Sequence, residues 1–185
     1  MNIISTEIPE VKILEPRLFG DHRGYFFESW NRVAYEVDGV SCDWVQDNES
    51  ESRFGVLRGL HYQAPPYTQA KLVRVICGAV LDVALDIRRE SPTFGRHVAV
   101  ELSGKNKRQL FIPRGFAHGF AVLSETVIFA YKCDNFYRPD HERGIAFDDP
   151  ALGINWHVRP DQWILSDKDR NNPRFNAAEL PEFGT

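Results

Sequence analysis

The chain has 185 residues, within the usual size of one domain, and its 43% hydrophobic and 26% charged residues are typical of a globular protein. Lys and Arg number 22 against 26 for Asp and Glu, and the net charge of −4 gives no general argument for nucleic-acid binding. We expect no membrane association, because no apolar run reaches membrane-spanning length. We expect a cytoplasmic location, because the N-terminus lacks a signal-peptide pattern. Cys42, Cys77 and Cys133 have no metal-binding spacing.

In chain order, residues 28–37 predict a short helix, and the runs 81–87, 97–102, 109–112 and 127–131 predict β-strands. Apolar residues at 81, 83, 85 and 87 share one face of the first strand, whereas Asp82 and Asp86 lie on a polar face. Residues 160–163 predict a further helical turn. Short strands separated by Gly and Pro turns are typical of an antiparallel sandwich or barrel. We therefore predict an all-β jelly roll with a few short helices, in one domain spanning residues 1–185.

Two histidine segments sharpen this prediction. Residues 113–120 have the P-x-G-x-x-H spacing, ending at His118, that resembles the second motif of the cupins, and residues 58–78 resemble the first. Metal-binding cupins carry a second histidine where this chain has Gln63, and a glutamate that is absent between residues 63 and 78. Only His61 and His118 remain of the four usual ligands, and Lys71 would repel a cation. We expect no metal and no other cofactor, and instead a polar cavity that favours anions.

The chain resembles the dTDP-4-dehydrorhamnose 3,5-epimerases, metal-free cupins of nucleotide-sugar metabolism, over nearly its whole length. No single matching segment is specific for this family, but the occurrence of all of them in the same order is specific. The matching segments are residues 23–28, 46–48, 57–61, 71–74, 91–95, 112–120, 131–132 and 166–169.

Epimerisation next to a ketone needs a base near neutrality, an acid on the opposite face, and a positive group at the developing enolate oxygen. His61 suits the base because imidazole titrates near working pH. The resemblance implies Asp169 as its partner, Tyr131 as the proton donor and Lys71 at the enolate oxygen. The residues alone leave other readings open: a charged surface turn around Asp169, a core aromatic at Tyr131, and a solvent-exposed strand-edge lysine.

The resemblance also implies a binding surface for the nucleotide. Arginines and lysines match a diphosphate, aromatic rings stack on a thymine, and polar side chains bind its edge. Taken singly, most of these residues would be solvated surface groups. The predicted binding residues are Arg23, Arg58 and Lys168 for phosphate, Phe26 and Tyr137 for stacking, and Glu28, Gln46, Asp47, Asn48, Glu142 and His118 for further contacts, with Asp82 as a hydrogen-bond partner of His118.

The resemblance further implies a homodimer in which the first strand, within residues 3–14, is exchanged between subunits. Several functions remain as alternatives. An epimerase acting at carbon 3 or carbon 5 alone would share all these residues. A keto-isomerase relative is disfavoured by Gln63, since those enzymes use paired histidines. A non-catalytic sugar- or nucleotide-binding cupin would need neither His61 nor Tyr131, and a metal-dependent oxygenase is disfavoured by Gln63 and Lys71.

Overall fold

The four runs predicted as strands form β-strands, and further strands form in polar runs as well as in apolar runs that were not predicted. The computed structural model describes residues 1–36, 40 and 42–182. In that part of the chain the strands are β1 Asn2–Ser5, β2 Lys12–Glu15, β3 Phe19–Asp21, β4 Gly24–Phe26, β5 Gln46–Arg53, β6 Leu57–Gln63, β7 Lys71–Cys77, β8 Ala79–Asp86, β9 His97–Ser103, β10 Gln109–Ile112, β11 Phe116–Val122, β12 Thr126–Cys133 and β13 Glu142–Gly144, and the α-helices are α1 Arg32–Tyr35 and α2 Asp167–Arg170.

The strands form two large antiparallel sheets and one small one. The six-stranded sheet has the order β1-β2-β10-β7-β12-β5, and the five-stranded sheet has the order β13-β6-β11-β8-β9. The third sheet is the isolated hairpin of β3 and β4, which we call the arm. The prediction of an all-β antiparallel architecture with short helices is confirmed.

The main hydrophobic core lies between the two large sheets. Alternate residues of β7 and β12, such as Val73, Val75 and Phe129, meet residues of β8 and β11 such as Ala84 and Phe120. Phe129 has no solvent exposure, and its ring stacks on Phe120 with 4.4 Å between ring centroids. This packing joins the sheets and leaves a polar cavity where the inward residues change from apolar to charged.

Strand β8 is buried on both faces, which corrects one detail of the sequence analysis. Its apolar face packs under residues of the C-terminal segment, including Phe147 and Trp156. The face that carries Asp82 and Asp86 looks polar in sequence, but both aspartates have no solvent exposure. This face points between the sheets, so its carboxylates need partners inside the protein.

The helix prediction for residues 28–37 is wrong in its extent. Helix α1 covers only Arg32–Tyr35, capped by the Asn31 side chain, and Val37 lies outside the described residues. The predicted turn at 160–163 is present as a 3₁₀ helix, Pro160–Gln162. The segment predicted as an exchanged strand forms β1 and β2, which pair with each other in the same chain.

Two glycines allow β6 and β11 to approach closely beside the two histidines. Gly59 has a φ of +114°, and a Cβ atom there would lie 2.6 Å from the Gly119 Cα and from the His118 carbonyl oxygen. The register between the strands shifts between His118 and Phe120. Any larger residue at Gly59 would push apart the strands that carry His61 and His118.

Among the described residues, no helix is long and apolar enough to cross a membrane. The prediction of a single domain over residues 1–185 stays a prediction.

We expect Phe129→Ala to lower the free energy of unfolding by about 3–5 kcal/mol, because it removes a fully buried ring from the core between the sheets. Urea denaturation followed by tryptophan fluorescence measures this change. Phe136→Ala is the matched control, since Phe136 is 60% exposed, and it should change stability by less than about 0.5 kcal/mol. Equal losses in the two variants would contradict the assignment of the core.

Candidate active site

The feature of the site best suited to proton transfer is a hydrogen-bonded pair of histidine and aspartate. The Nε2 atom of His61, in β6, lies 2.6 Å from Oδ1 of Asp169, in α2. The His61 side chain is 26% exposed and that of Asp169 only 4%. Because a carboxylate only accepts hydrogen bonds, Nε2 carries the proton and Nδ1 is left with a free lone pair. The imidazole is therefore oriented to accept a proton at Nδ1.

Asp169 is held in place by three neighbours. Ser166 caps the N-terminus of α2, accepting a hydrogen bond from the Asp169 backbone N–H and donating its Oγ–H to Asp169 Oδ2 at 2.6 Å. The backbone N–H of Gly59 donates to Oδ1 at 3.2 Å. Burial opposes ionisation of Asp169, but hydrogen bonds from His61 and Ser166 outweigh it and hold its pKa below the usual range. The sequence indicated a surface turn here, whereas the structure buries this carboxylate.

His61 borders a cavity of about 260 Å³ between the two large sheets. Its lining combines polar side chains from both sheets with residues of the segment after β12. Besides His61, the lining residues are Gln46, Asn48, Tyr62, Gln63, Gln69, Lys71, Tyr131, Cys133, Tyr137 and Glu142.

Lys71 and Tyr131 enter this cavity from the six-stranded sheet, opposite the sheet that carries His61. The Lys71 Nζ lies 5.8 Å from the centroid of the Tyr131 ring. Burial lowers the pKa of Lys71, and burial raises the pKa of Tyr131. The phenol therefore stays protonated at neutral pH and can donate, and the Lys71 side chain lies over its ring.

A second histidine–aspartate pair lies deeper in the protein. His118 in β11 is opposite His61 in the register of β11 and β6, and its Nε2 lies 3.0 Å from Asp82 Oδ2. His118 is 7% exposed and Asp82 not at all. Burial lowers the pKa of His118, against the raising effect of Asp82. The partnership between His118 and Asp82 is present as predicted, but His118 lies behind the cavity wall.

Three more of the predicted binding residues meet at one edge of the cavity. Glu142 accepts a hydrogen bond from the Tyr137 hydroxyl and forms an ion pair with Lys168. Burial opposes ionisation of Glu142, but Lys168 and Tyr137 outweigh it and hold its pKa below normal. The hydrogen bond to Glu142 raises the pKa of Tyr137 to about 12. Arg58, also a predicted binding residue, reaches across to β5, where its guanidinium donates to Ser52 Oγ at 3.2 Å.

Arg58, His118 and Lys168 are not among the residues that line this cavity, and four further predicted residues lie away from it. Arg23 and Phe26 lie on the arm and border a separate cavity, with Arg23 paired to Asp21 and Phe26 70% exposed. Glu28 accepts a hydrogen bond from the Asn31 side chain and borders another cavity. Asp47 faces the opposite side of the six-stranded sheet from Gln46 and Asn48, and its carboxylate lies 2.8 Å from Lys132 Nζ.

Several residues of the site were not singled out from the sequence. Cys133 lines the cavity, and the alternation of β12 inward residues through Phe129 and Tyr131 could have identified it. Gln63, noted only as a missing metal ligand, uses its side-chain oxygen to accept the Arg138 backbone N–H at 2.9 Å. Gly59 supports Asp169 through its backbone, a contact for which the sequence gives no signal.

The arrangement can take a proton at His61, supply one from Tyr131, and stabilise negative charge with Lys71. This combination is the one required for proton transfer next to a carbonyl group. Within residues 1–36, 40 and 42–182, no three His, Cys, Asp or Glu side chains are grouped as metal ligands would be.

Comparison with known proteins agrees with this chemistry. The family model described as dTDP-4-dehydrorhamnose 3,5-epimerase matches residues 5–177. A relative of that name from Shigella flexneri is 55% identical over 180 residues, 97% of this chain and 98% of that protein. A crystal structure of dTDP-6-deoxy-D-glucose-3,5-epimerase from Legionella pneumophila, in complex with dTDP-4-keto-L-rhamnose, is similar with a TM-score of 0.95, 51% identity, and coverage of 100% of this chain and 99% of that one.

More distant structures carry a related activity. A 3′-monoepimerase from Streptomyces bikiniensis, in complex with dTDP-quinovose, is similar with a TM-score of 0.85 and 34% identity, covering 96% of this chain and 92% of that one. The cupin-type fold is confirmed by these structural neighbours. From the match along residues 5–177 and the identity of its relatives, the chain belongs to the dTDP-4-dehydrorhamnose 3,5-epimerase family.

Proposed function

We propose that this protein is an isomerase that epimerises carbons 3 and 5 of dTDP-4-dehydro-6-deoxy-D-glucose to give dTDP-4-dehydro-L-rhamnose. The observation that carries the proposal is the His61–Asp169 pair at the edge of a cavity whose opposite wall holds Lys71 and Tyr131. The family match and the relatives that are more than 50% identical support the same reaction.

The first step is removal of the proton next to the 4-keto group. The lone pair of His61 Nδ1 takes this proton, and the electrons of the C–H bond move to the ketone oxygen to form an enolate. Asp169 stabilises the imidazolium that results, because its buried carboxylate accepts the Nε2–H. The ammonium of Lys71 stabilises the enolate oxygen by its charge.

The second step returns a proton from the other face of the sugar. Tyr131 donates its hydroxyl proton to the carbon, the enolate electrons form the new C–H bond, and the ketone is restored. The positive charge of Arg58 favours the phenolate left on Tyr131, because it acts to lower the pKa of that hydroxyl. Solvent then reprotonates Tyr131 and removes the proton from His61, and the cycle repeats at the second carbon.

The nucleotide is assigned to the edge of the cavity. Lys168 and Arg58 would contact the diphosphate, and Tyr137 would stack on the thymine, next to Glu142 and Asn48. His118, which is opposite His61 in the register of β11 and β6, would contact the sugar. The cytoplasmic location predicted from the sequence fits the reduced state of Cys42, Cys77 and Cys133.

The arm supports a homodimer. Its residues Arg23 and Phe26, together with Glu28, are predicted to bind the nucleotide, yet they lie away from the cavity of their own chain. Phe26 is 70% exposed and Tyr25 60%, which is unusual for aromatic side chains of an isolated chain. A second subunit would cover these rings and receive the binding residues. Exchange of β1 belongs to the same proposal, since β1 is an edge strand that pairs only with β2 among the described residues.

A second candidate is an epimerase that acts at one carbon only. The similarity to the 3′-monoepimerase at 34% identity favours keeping this candidate, because that structure covers 96% of this chain. His61, Tyr131 and Lys71 would serve one inversion as well as two. The two candidates differ in how many carbons exchange their protons.

Incubation of the protein with the dTDP-4-keto sugar in deuterated water should place deuterium at both carbon 3 and carbon 5. Proton NMR of the product measures both positions. Deuterium at one carbon alone would support the monofunctional candidate. Absence of exchange at either carbon would contradict an epimerase altogether and favour a binding protein.

Asp169→Asn should lower kcat by roughly 10²–10⁴-fold with a much smaller change in KM, because the amide no longer stabilises the imidazolium of His61. Steady-state kinetics coupled to a reductase that consumes the product measures this loss. The matched control is Asp167→Asn in the same short helix, where the side chain is exposed, and its kcat should stay within about twofold of wild type. Similar losses in both variants would show that only the helix was disturbed.

Tyr131→Phe should retain exchange of the sugar proton with solvent but lose inversion of configuration at the sugar carbon. His61 can still remove a proton and return solvent deuterium to the same face, but the opposite face has lost its donor. We therefore expect deuterium in the recovered substrate with at least about 100-fold less epimer. Inversion at the wild-type rate would remove Tyr131 from the mechanism.

A further inference from the structure

Gln63 lies where metal-binding cupins carry a second histidine, and the proposed reaction gives it no task. It is 6% exposed and lines the cavity. It follows His61 by two residues on β6, so both side chains leave the strand on the same face. The side-chain oxygen of Gln63 accepts the backbone N–H of Arg138 at 2.9 Å. This hydrogen bond joins β6 to the segment that follows β12.

The segment after β12, which we call the strap, is residues 134–138, and these five described residues form neither helix nor strand. Its aromatic side chains anchor it poorly, because Phe136 is 60% exposed and Tyr137 46%. Its first half is tied to the loop before β7, where the Gln69 side chain donates to the Asn135 carbonyl at 2.8 Å. Hydrogen bonds, more than apolar burial, therefore determine where the strap lies.

Two glutamine side chains, one from each large sheet, hold the second half of the strap. Gln46, in β5 of the six-stranded sheet, accepts the Tyr137 backbone N–H at 3.1 Å. Gln63, in β6 of the five-stranded sheet, accepts the next backbone N–H, that of Arg138. Two successive N–H groups are thus bound to opposite sheets. The strap is therefore fixed between the sheets at Tyr137, and the Tyr137 side chain lines the cavity.

The hydroxyl of Tyr137 is bound by the same sheet as Gln63. It donates to Glu142 in β13, and Glu142 is the cross-strand partner of Gln63 in the register of β13 and β6. The five-stranded sheet therefore contacts the strap at two adjacent points, the backbone of Arg138 and the tip of the Tyr137 side chain. Because His61 belongs to β6 as well, these contacts set the distance between Tyr137 and His61.

We propose that Gln63 is a positioning residue for the nucleotide, which acts by holding the strap so that Tyr137 lies at a fixed distance from His61. This proposal rests on the proposed function, in which the sugar is bound at His61 and the thymine at Tyr137. One ligand must reach both residues at once, so a preorganised Tyr137 increases the affinity for the nucleotide. Gln63 contributes to this affinity through the strap.

The test is Gln63→Leu, which keeps the approximate size of the side chain and removes the acceptor for the Arg138 N–H. Isothermal titration calorimetry measures the Kd of dTDP for wild type, Gln63→Leu, Tyr137→Ala and the double variant. Loss of one hydrogen bond should weaken dTDP binding about 3–10-fold when Tyr137 is present. In the Tyr137→Ala background the same change should alter Kd by less than about twofold, because the residue through which Gln63 acts is gone.

Hydrogen exchange of the Arg138 backbone amide, followed by NMR on ¹⁵N-labelled protein, gives a second measurement that needs neither ligand nor turnover. We expect this amide to exchange about tenfold faster in Gln63→Leu, because its acceptor is lost. Amides within β12 should keep their exchange rates to within about twofold, since local opening of the strap leaves the sheet intact. A general loss of stability would accelerate both.

Gln162→Leu is the matched control. The side-chain oxygen of Gln162 also accepts a hydrogen bond, from Arg159, but Gln162 is not among the residues that line the cavity. This variant should leave the Kd of dTDP and the exchange of the Arg138 amide within about twofold of wild type. Gln63→Met, which is unbranched and of similar length, should reproduce the effects of Gln63→Leu and serves if that variant folds poorly.

An equal loss of dTDP affinity with and without Tyr137 would overturn the proposal, because Gln63 would then act independently of the strap. Unchanged exchange of the Arg138 amide in both Gln63 variants would overturn it as well. A protein that shows the expected set of dTDP affinities but no deuterium exchange at the sugar would instead overturn the proposed function alone.

Discussion

The hydrogen bond between His61 and Asp169 is the contact on which the site depends. It joins residues 108 positions apart, so it forms only when the C-terminal segment has packed on the outer face of the five-stranded sheet. That packing uses Phe147 and Trp156, which cover the apolar face of β8. The position of the His61–Asp169 pair is thus fixed by this hydrophobic packing more firmly than by the four-residue helix α2 alone.

The cavity also shows how a cupin scaffold can do carbonyl chemistry with fixed charges. Lys71 lies in the segment where the metal-binding motif carries a glutamate, and it lines the cavity, while Gln63 accepts a hydrogen bond from the backbone of Arg138. The two histidine–aspartate pairs differ in exposure. His61 is 26% exposed and borders the cavity, whereas His118 and Asp82 are buried.

The sequence predicted the strands whose apolar residues alternate, because the period of two is the direct signature of a half-buried strand. It missed β5, since the run Gln46–Arg53 contains no apolar residue and becomes a strand only by pairing with β12. The alternation of β5 would have shown that Asp47 faces away from Gln46 and Asn48. Asp169 could be identified only through the family resemblance, because its local sequence is polar and its burial is produced by distant packing. The arm residues raise the same difficulty, because nothing in their local sequence shows that they lie away from this cavity.

The contact of Tyr137, Glu142 and Lys168 has a consequence for the way an anion enters. The positive charge of Lys168 is already paired with the carboxylate of Glu142 before any phosphate binds. Under the proposed assignment, an incoming diphosphate would replace the Glu142 carboxylate at Lys168, and Glu142 would then accept hydrogen bonds from another part of the ligand. Such an exchange conserves the number of ion pairs, so ionic strength affects the resting and the occupied protein to a similar degree. Selection among anionic ligands at this edge of the cavity then depends on how well the hydrogen-bond geometry of each anion at Lys168 compares with that of Glu142. Charge attraction alone contributes little to this selection.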